Sequence, residues 1–354
     1  MQRVGILGLP QSGKTTLFEI LMQGAGAEAA APGGRAGRDQ IGVVRVPDPR
    51  VDRLSALYQP RKTTYAQVQF VDSAAAGQGT ARAASRGQDL FSAVRNCEAL
   101  VALVRDFENP AVPIEGGVDP ARDLARLESE LVFNDLVIVE SRLEKIEKES
   151  RVGKSQNERE RELMARCRAE LEAGRPLRGE RFDPEEEKLL RGYQLLSRKP
   201  LLQVYNQDDR SQRRPAGPGP NTLAVALRAH LEREVVALPP EDRAAFRAEL
   251  GIQEDGLSLV IRSCYELLGL ISFFTVGPDE VRAWTIHRGE KAVDAAGEIH
   301  TDLAKGFIRA EVIGWEKLLE AGSEAKAREK GWLRLEGRAY EVQDGECLEI
   351  RFNK

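Results

Sequence analysis

Over its first third the chain sets short continuous apolar runs against stretches with helical spacing. Val4 to Leu7 reads as a buried strand and Thr16 to Leu21 as the opening of a helix, the grammar of a βαβ unit. Further runs at Val43 to Val46, Ala66 to Asp72, Ala99 to Val104, Leu201 to Tyr205 and, more weakly, Leu223 to Ala226 predict strands. Most are apolar enough for a sheet covered on both faces. A mostly parallel α/β sheet is the expectation. Gly24 to Gly42 and Ala74 to Gly87 interrupt the pattern; rich in Gly, Ala and Arg, they read as mobile loops.

Between the fourth and fifth of these strands the spacing changes. Leu124, Leu127, Leu131, Ile138, Leu143 and Ile146 recur at helical intervals among Glu, Lys and Arg, which predicts a long amphipathic helix. Gly153 permits a reversal, and Leu163, Met164, Cys167 and Leu171 mark a second helix ending near Gly174 and Pro176. Residues 119–198 therefore read as an antiparallel helical hairpin, a coiled coil inserted into the sheet domain. The loop Ser211 to Asn221, with Pro215, Gly217, Pro218, Gly219 and Pro220, forbids regular structure. Ser258 to Leu268 predicts a last helix of this domain. From Ile271 onward the spacing suits a compact mixed module, with a strand at Val281 to Ile286, a helix at Ala292 to Asp302 and short strands through Ile350 to Phe352.

The 354 residues include 52 basic and 56 acidic side chains, a formal charge of −4, with 42% hydrophobic residues. At about 150 residues per domain this is a globular chain of two or three domains, and fibrous or wholly disordered classes are excluded. The apolar opening stops at Pro10 and Lys14, too short for a signal-peptide core, and no apolar run is long enough to cross a membrane. A cytoplasmic protein without a membrane partner is expected. Cys97, Cys167, Cys264 and Cys347 form no C-x-x-C pair, which argues against zinc and against a disulfide framework. The balanced charge gives no global drive toward nucleic acid, and no DNA partner is expected.

The chemistry is concentrated in Gly8-Leu9-Pro10-Gln11-Ser12-Gly13-Lys14-Thr15, a full G-x-x-x-x-G-K-[ST] match between a strand and a helix. Gly8 and Gly13 let successive N–H groups close around a phosphate while the following helix points its positive end at it. Lys14, the candidate catalytic residue, would reach the β- and γ-phosphates, with Pro10, Gln11, Ser12 and Thr16 completing the cradle. The Thr15 hydroxyl is a candidate Mg²⁺ ligand. Asp72, after an apolar strand, stands where a carboxylate orients water on that ion. Asn206-Gln207-Asp208-Asp209 follows another apolar strand and is the base-recognition candidate: Asn206 would tie it to the phosphate loop and a carboxylate such as Asp209 would face the base.

With these residues in place the chain resembles the Obg-like ATPase family of YchF type, translation-factor-related P-loop proteins. The likeness runs over nearly the whole length. It is carried by the phosphate loop through Phe18, by Gly42-Val43-Val44 with Val46-Pro47-Asp48-Pro49-Arg50, and by the C-terminal run from Phe274 to Ala310, including Gly297-Glu298-Ile299-His300-Thr301-Asp302. The resemblance implies a P-loop G domain (1–118 and 199–270), an inserted coiled-coil hairpin (119–198) and a C-terminal β-grasp module of the TGS kind (271–354). It also implies ATP or GTP as nucleotide, and nucleotide-dependent association with ribosomal RNA and proteins.

Four positions depart from the family pattern. Gln11 replaces an Asn, and Asp72-Ser73-Ala74-Ala75 replaces Asp-x-x-Gly. Ala36 falls near the expected switch Thr, and Arg228-Ala229 stands where a Ser-Ala pair would meet the base. Directly after Ala75 comes Ala76 rather than Gln, in keeping with the family's lack of a water-positioning glutamine. Weak or slow hydrolysis is expected. Whole-chain resemblance favours ATP, whereas the terminal Asp209 is what GTP-specific relatives carry, so both nucleotides stay open. An occupancy-only scaffold is the alternative to a slow hydrolase. The hairpin's charged face reads first as a solvated surface, and so do Arg282, Arg288, Lys291, Lys305 and Arg309, with RNA contact the sharper alternative. His230, His287 and His300 show no metal spacing.

Overall fold

The structure is a computed structural model that describes residues 1–24, 40–72, 91–151, 158–208, 211, 217, 219–250, 252 and 255–353. Of the expected mobile stretches, 25–39 and 74–87 lie outside the described residues, as do the reversal near Gly153 and most of the Pro-rich loop, whereas Gly24 ends a helix and 40–42 open a strand instead of belonging to a loop. In chain order the elements begin β1 (Arg3–Gly8), α1 (Lys14–Gly24), β2 (Gln40–Arg45), α2 (Pro49–Tyr58), β3 (Lys62–Thr64), β4 (Gln67–Asp72) and β5 (Ala99–Asp106). Next come α3 (Pro120–Arg151), α4 (Glu158–Glu172), α5 (Pro184–Arg191), β6 (Leu201–Gln207), β7 (Thr222–Leu227), α6 (Ala229–Ala237), α7 (Pro240–Glu249) and α8 (Gly256–Leu267). The remainder is β8 (Leu270–Thr275), β9 (Glu280–His287), α9 (Ala292–Ile299), α10 (Thr301–Lys305), β10 (Phe307–Gly314), α11 (Trp315–Ala321), α12 (Glu324–Glu329), β11 (Arg334–Glu336) and β12 (Glu346–Phe352).

Two compact units result, one of residues 2–43 and 69–260, the other of Met1, 44–68 and 261–354. The first carries a six-stranded sheet in the order β2-β4-β1-β5-β6-β7. Strands β4, β1, β5, β6 and β7 pair in parallel. All of β5 is buried, which is why its sequence shows no alternation: both faces of a parallel sheet are covered. Leu7, Leu100, Ala102 and Leu201 of the strands share one core with Leu127 and Leu131 of α3. Each such buried leucine stabilises the unit by about 2 kcal/mol, so the root of the hairpin is part of the sheet's core.

Farther out, Val139 and Leu143 of α3 pack on Leu163, Met164, Cys167 and Leu171 of α4. Arg142 forks onto Glu160 at 2.7 and 2.8 Å. Asp135, fully buried, accepts the amides of Leu196 and Ser197 at 2.8 and 2.7 Å and so fixes the returning chain against α3. Pro184 starts α5, where Asp183 and Glu186 form a reciprocal capping box.

The second unit is built on a mixed sheet in the order β11-β10-β12-β8-β9-β3. Strand β12 runs parallel to β8 and β3 parallel to β9, while the β8–β9, β10–β12 and β10–β11 pairs are antiparallel. Ala292, Ala295 and Ala296 of α9 sit on Ile271, Phe273, Ile286 and Val312, the small residues letting the helix approach the sheet. The expected single helix Ala292 to Asp302 is two helices. At His300 the backbone turns extended (φ −165°, ψ 138°), and its Nδ1 accepts the Asp302 amide, ending α9 and capping α10.

Residues 44–68 join this unit through α2 and β3. Strand β3 has no periodic apolar signal; it is held by its ladder to β9 and by Thr64, whose hydroxyl donates to Glu280 at 2.6 Å. Helix α2 opens on Asp48 as N-cap with Pro49 in its first turn. Asp48 also grips Arg50 at 2.8 Å, and Arg50 reaches Asp344 at 2.8 Å while lying over the Phe274 ring. The Ser272 amide donates to the same Asp344 at 3.0 Å. These carboxylates push the Arg50 pKa upward against the opposing effect of its burial. Arg50→Ala leaves Asp48 uncompensated and should destabilise the unit by about 3 kcal/mol. Asp344→Asn, at a position 43% exposed, should cost about 1 kcal/mol. Trp284, Trp315 and Trp332 all belong to this unit, so tryptophan fluorescence during urea unfolding reads it directly; an unshifted Arg50→Ala transition would show the clamp to be idle.

Candidate nucleotide-binding site

The loop between β1 and α1 owes its shape to two glycines. A Cβ on Gly8 would stand 2.6 Å from both the Leu103 carbonyl oxygen and Ser12 Oγ, so no other residue fits there. Gly13 has φ +99°, and a Cβ would come 2.5 Å from Asn206 Nδ2. Gln11 adopts φ 65°, the left-handed region, which costs a side-chain-bearing residue about 1–2 kcal/mol. The Leu17 amide donating to Gly13 O at 2.8 Å starts the helix. No acidic residue occupies the first turn of α1, so its positive end is left uncompensated by the helix's own side chains.

Lys14 Nζ donates to Gly8 O at 2.7 Å, bending back over the loop. Burial lowers its pKa, and the charge of Asp72 works in the opposite direction. Ser12 Oγ is buried without a hydrogen-bond partner among the described residues. A desolvated ammonium, an orphaned hydroxyl and a helix N-terminus around one glycine loop fit an anion.

Asn206 is the keystone of the neighbouring region. Its Nδ2 donates to Ser12 O at 3.0 Å and its Oδ1 accepts the Ala229 amide at 3.1 Å. Beside it opens a cavity of about 450 Å³, lined by Gly13, Thr16, Asn206, Gln207, Asp208 and Ala229 and by Phe107, Glu108, Asn109, His230 and Arg233. That volume suits a nucleoside, and the position at the carboxyl ends of β5 and β6 is where parallel sheets take ligands.

Among the residues singled out from sequence, hydrogen bonds link Gly8 with Lys14 and Ser12 with Asn206 and Ala229, while Gly13 and Thr16 share the cavity. Pro10, Gln11 and Thr15 are exposed on the loop and the first helical residues. Asp72 ends β4 beside Ile6 and is 8% exposed. Asp209 lies outside the described residues, as do Ala36, Ser73, Ala74, Ala75 and Ala76. Sequence reasoning missed the wall Phe107-Glu108-Asn109 and the helix residues His230 and Arg233. The carboxyl end of β5 was the available signal, because it adjoins both β1 and β6.

For Mg²⁺, Thr15 and Asp72 offer a hydroxyl and a carboxylate, the hard oxygen donors the ion prefers. No group of three or more His, Cys, Asp or Glu among the described residues could hold a metal unaided, so phosphate oxygens would have to complete the shell. All four cysteines are free and buried, and no described helix is long and apolar enough to cross a membrane.

A glycine loop joining a buried strand to a helix, with an Asn-led strand end locked onto it, defines a P-loop NTPase of the G-domain class with an added C-terminal domain. Residues 270–353 match the protein family YchF-GTPase_C, described as "Protein of unknown function (DUF933)". "Ribosome-binding ATPase YchF" of Bacillus subtilis (strain 168) is 37% identical over 361 residues, covering 99% of this chain and 98% of that protein. The protein of that name from Escherichia coli O157:H7 is 36% identical over 360 residues, 99% of each chain. The solved structure of the Schizosaccharomyces pombe YchF GTPase superposes with a TM-score of 0.86 at 27% identity, covering 99% of this chain and 97% of that one. The chain belongs to the YchF family.

Asn206→Ala should destabilise the first unit by about 2–4 kcal/mol, since it strands the Ser12 carbonyl and the Ala229 amide in a buried place. Faster hydrogen exchange at the Ala229 amide is the local signature; unchanged protection there would refute the bridging role.

Proposed function

We propose that this protein is a slow Mg²⁺-dependent nucleoside triphosphatase, acting on ATP, whose nucleotide state governs its association with ribosomes. The observation that carries the reading is the anion cradle of Gly8 to Thr16 locked by Asn206 to a nucleoside-sized cavity. Full-length relatives named ribosome-binding ATPases support both the reaction and the partner.

In this reading the N–H groups of the loop and the first turn of α1 hold the β-phosphate. Lys14 leaves Gly8 O for the β- and γ-phosphate oxygens, where its charge offsets the charge that develops on the transferred group. Thr15 and Asp72 would hold Mg²⁺, which when bound neutralises phosphate charge. Asn206 and Ala229 set the base end, and Asp209 contributes a carboxylate to base recognition. Residues 1–118 with 199–270, less the 44–68 segment that belongs to the second unit, act as the nucleotide body, 119–198 as a coiled-coil arm and 271–354 as a TGS-like β-grasp module. No side chain among the described residues serves as a general base, so positioning and charge neutralisation supply the acceleration, and turnover is slow.

An occupancy-only scaffold is the second reading. It is favoured by Ala75 where a Gly would meet the γ-phosphate and by the lack of any Thr from Gly24 to Gly42. Phosphate release separates the two: Lys14→Ala should lower the wild-type rate about 10²–10³-fold, and equal rates would remove the enzyme reading. Calorimetric titration with Mg²⁺ should give ATP at least about tenfold tighter binding than GTP. Cosedimentation at low salt should place the protein on ribosomes in a nucleotide-dependent manner, and its absence with every nucleotide would remove the ribosome partner.

A further inference from the structure

We propose that Arg105 is a positioning residue that holds the 107–112 segment in place as the base-side wall of the nucleotide cavity. The inference rests on the nucleotide reading above and extends it to a residue outside the phosphate loop and its Asn206 lock.

Arg105 lies near the carboxyl end of β5, in register with Asn206 on β6, and is 2% exposed. Burying a guanidinium is costly and is normally offset by a carboxylate. Among the described residues Arg105 has no such ion pair. Its Nε donates to Phe107 O at 3.0 Å and its Nη1 to Val112 O at 3.0 Å, so the planar fork spans both ends of one loop. The guanidinium also lies 4.7 Å from the Phe107 ring centroid. Nη2 is buried and has no hydrogen-bond partner among the described residues. The loop that it clasps supplies Phe107, Glu108 and Asn109 to the same cavity that Asn206 and Ala229 line.

A buried charge directed at two backbone carbonyls and one ring fixes the conformation of the loop rather than any distant charge. Lysine cannot replace it, because an ammonium has neither the fork nor the flat face. The wall lines the nucleoside-sized cavity, and both hydrogen bonds of the Arg105 side chain stay within its own segment. Loss of Arg105 should therefore weaken nucleotide binding through the base end alone.

The test is calorimetry on the full-length protein with Mg²⁺ and two ligands, ATP and inorganic tripolyphosphate, which has phosphates but no base. Arg105→Lys and Arg105→Met should each raise the ATP Kd about tenfold while leaving tripolyphosphate within about twofold of wild type. Phe107→Leu should reproduce the selective loss. Arg105→Lys keeps the charge and serves if the Met variant fails to fold. Equal weakening of both ligands would mark Arg105 as merely structural and overturn the proposal, as would unchanged ATP affinity in the two Arg105 variants. A wild-type protein that binds neither ligand would instead overturn the nucleotide reading itself.

Discussion

One side-chain amide holds the candidate site together. Asn206 donates to the carbonyl of Ser12 and accepts the amide of Ala229, tying the phosphate loop, the end of β6 and the start of α6 in a buried place where every unmet hydrogen bond is expensive. The glycine at position 13 exists in the same context, since any side chain there would strike that amide. Shape, burial and polar satisfaction at this point are one constraint seen three ways.

Around it the loop is electrostatically unfinished. Lys14 is drawn back onto the Gly8 carbonyl, its pKa lowered by burial, and the Ser12 hydroxyl has no partner among the described residues. A fold spends stability on such features only when something else completes them. A polyphosphate would answer both, because negative oxygens favour the charged ammonium and accept from the hydroxyl. The cavity beside Asn206 then gives the other end of the ligand its place, and Arg105 gives that cavity a firm wall without taking part in the phosphate chemistry.

The second unit shows a different use of charge. Asp48 caps α2 and holds Arg50, which in turn reaches Asp344, and Asp344 takes the Ser272 amide. The Val46-Pro47-Asp48-Pro49-Arg50 segment, one of the stretches that carries the family resemblance, is thus the fastening of α2 within its unit. Its role in the fold is visible in contacts that span 294 positions of sequence.

By itself the sequence determined what depends on local pattern and backbone chemistry. The strand–glycine loop–helix opening, the long amphipathic helix with its partner, and the parallel character of the first sheet follow from apolar periodicity and from where Gly and Pro stand. The motif spacing likewise pointed to Gly8, Ser12, Gly13, Lys14 and Asn206, and the family resemblance to Ala229, all of which the fold gathers in one place. Tertiary structure alone decided that three polar residues at Lys62–Thr64 form a strand, that His300 breaks one expected helix into two, and that Phe107, His230 and Arg233 share a cavity with Asn206. Arg105 belongs to that second group as well. These outcomes depend on pairing between segments far apart in the chain, whose free energy comes from ladder bonds and desolvation that no local window of sequence contains.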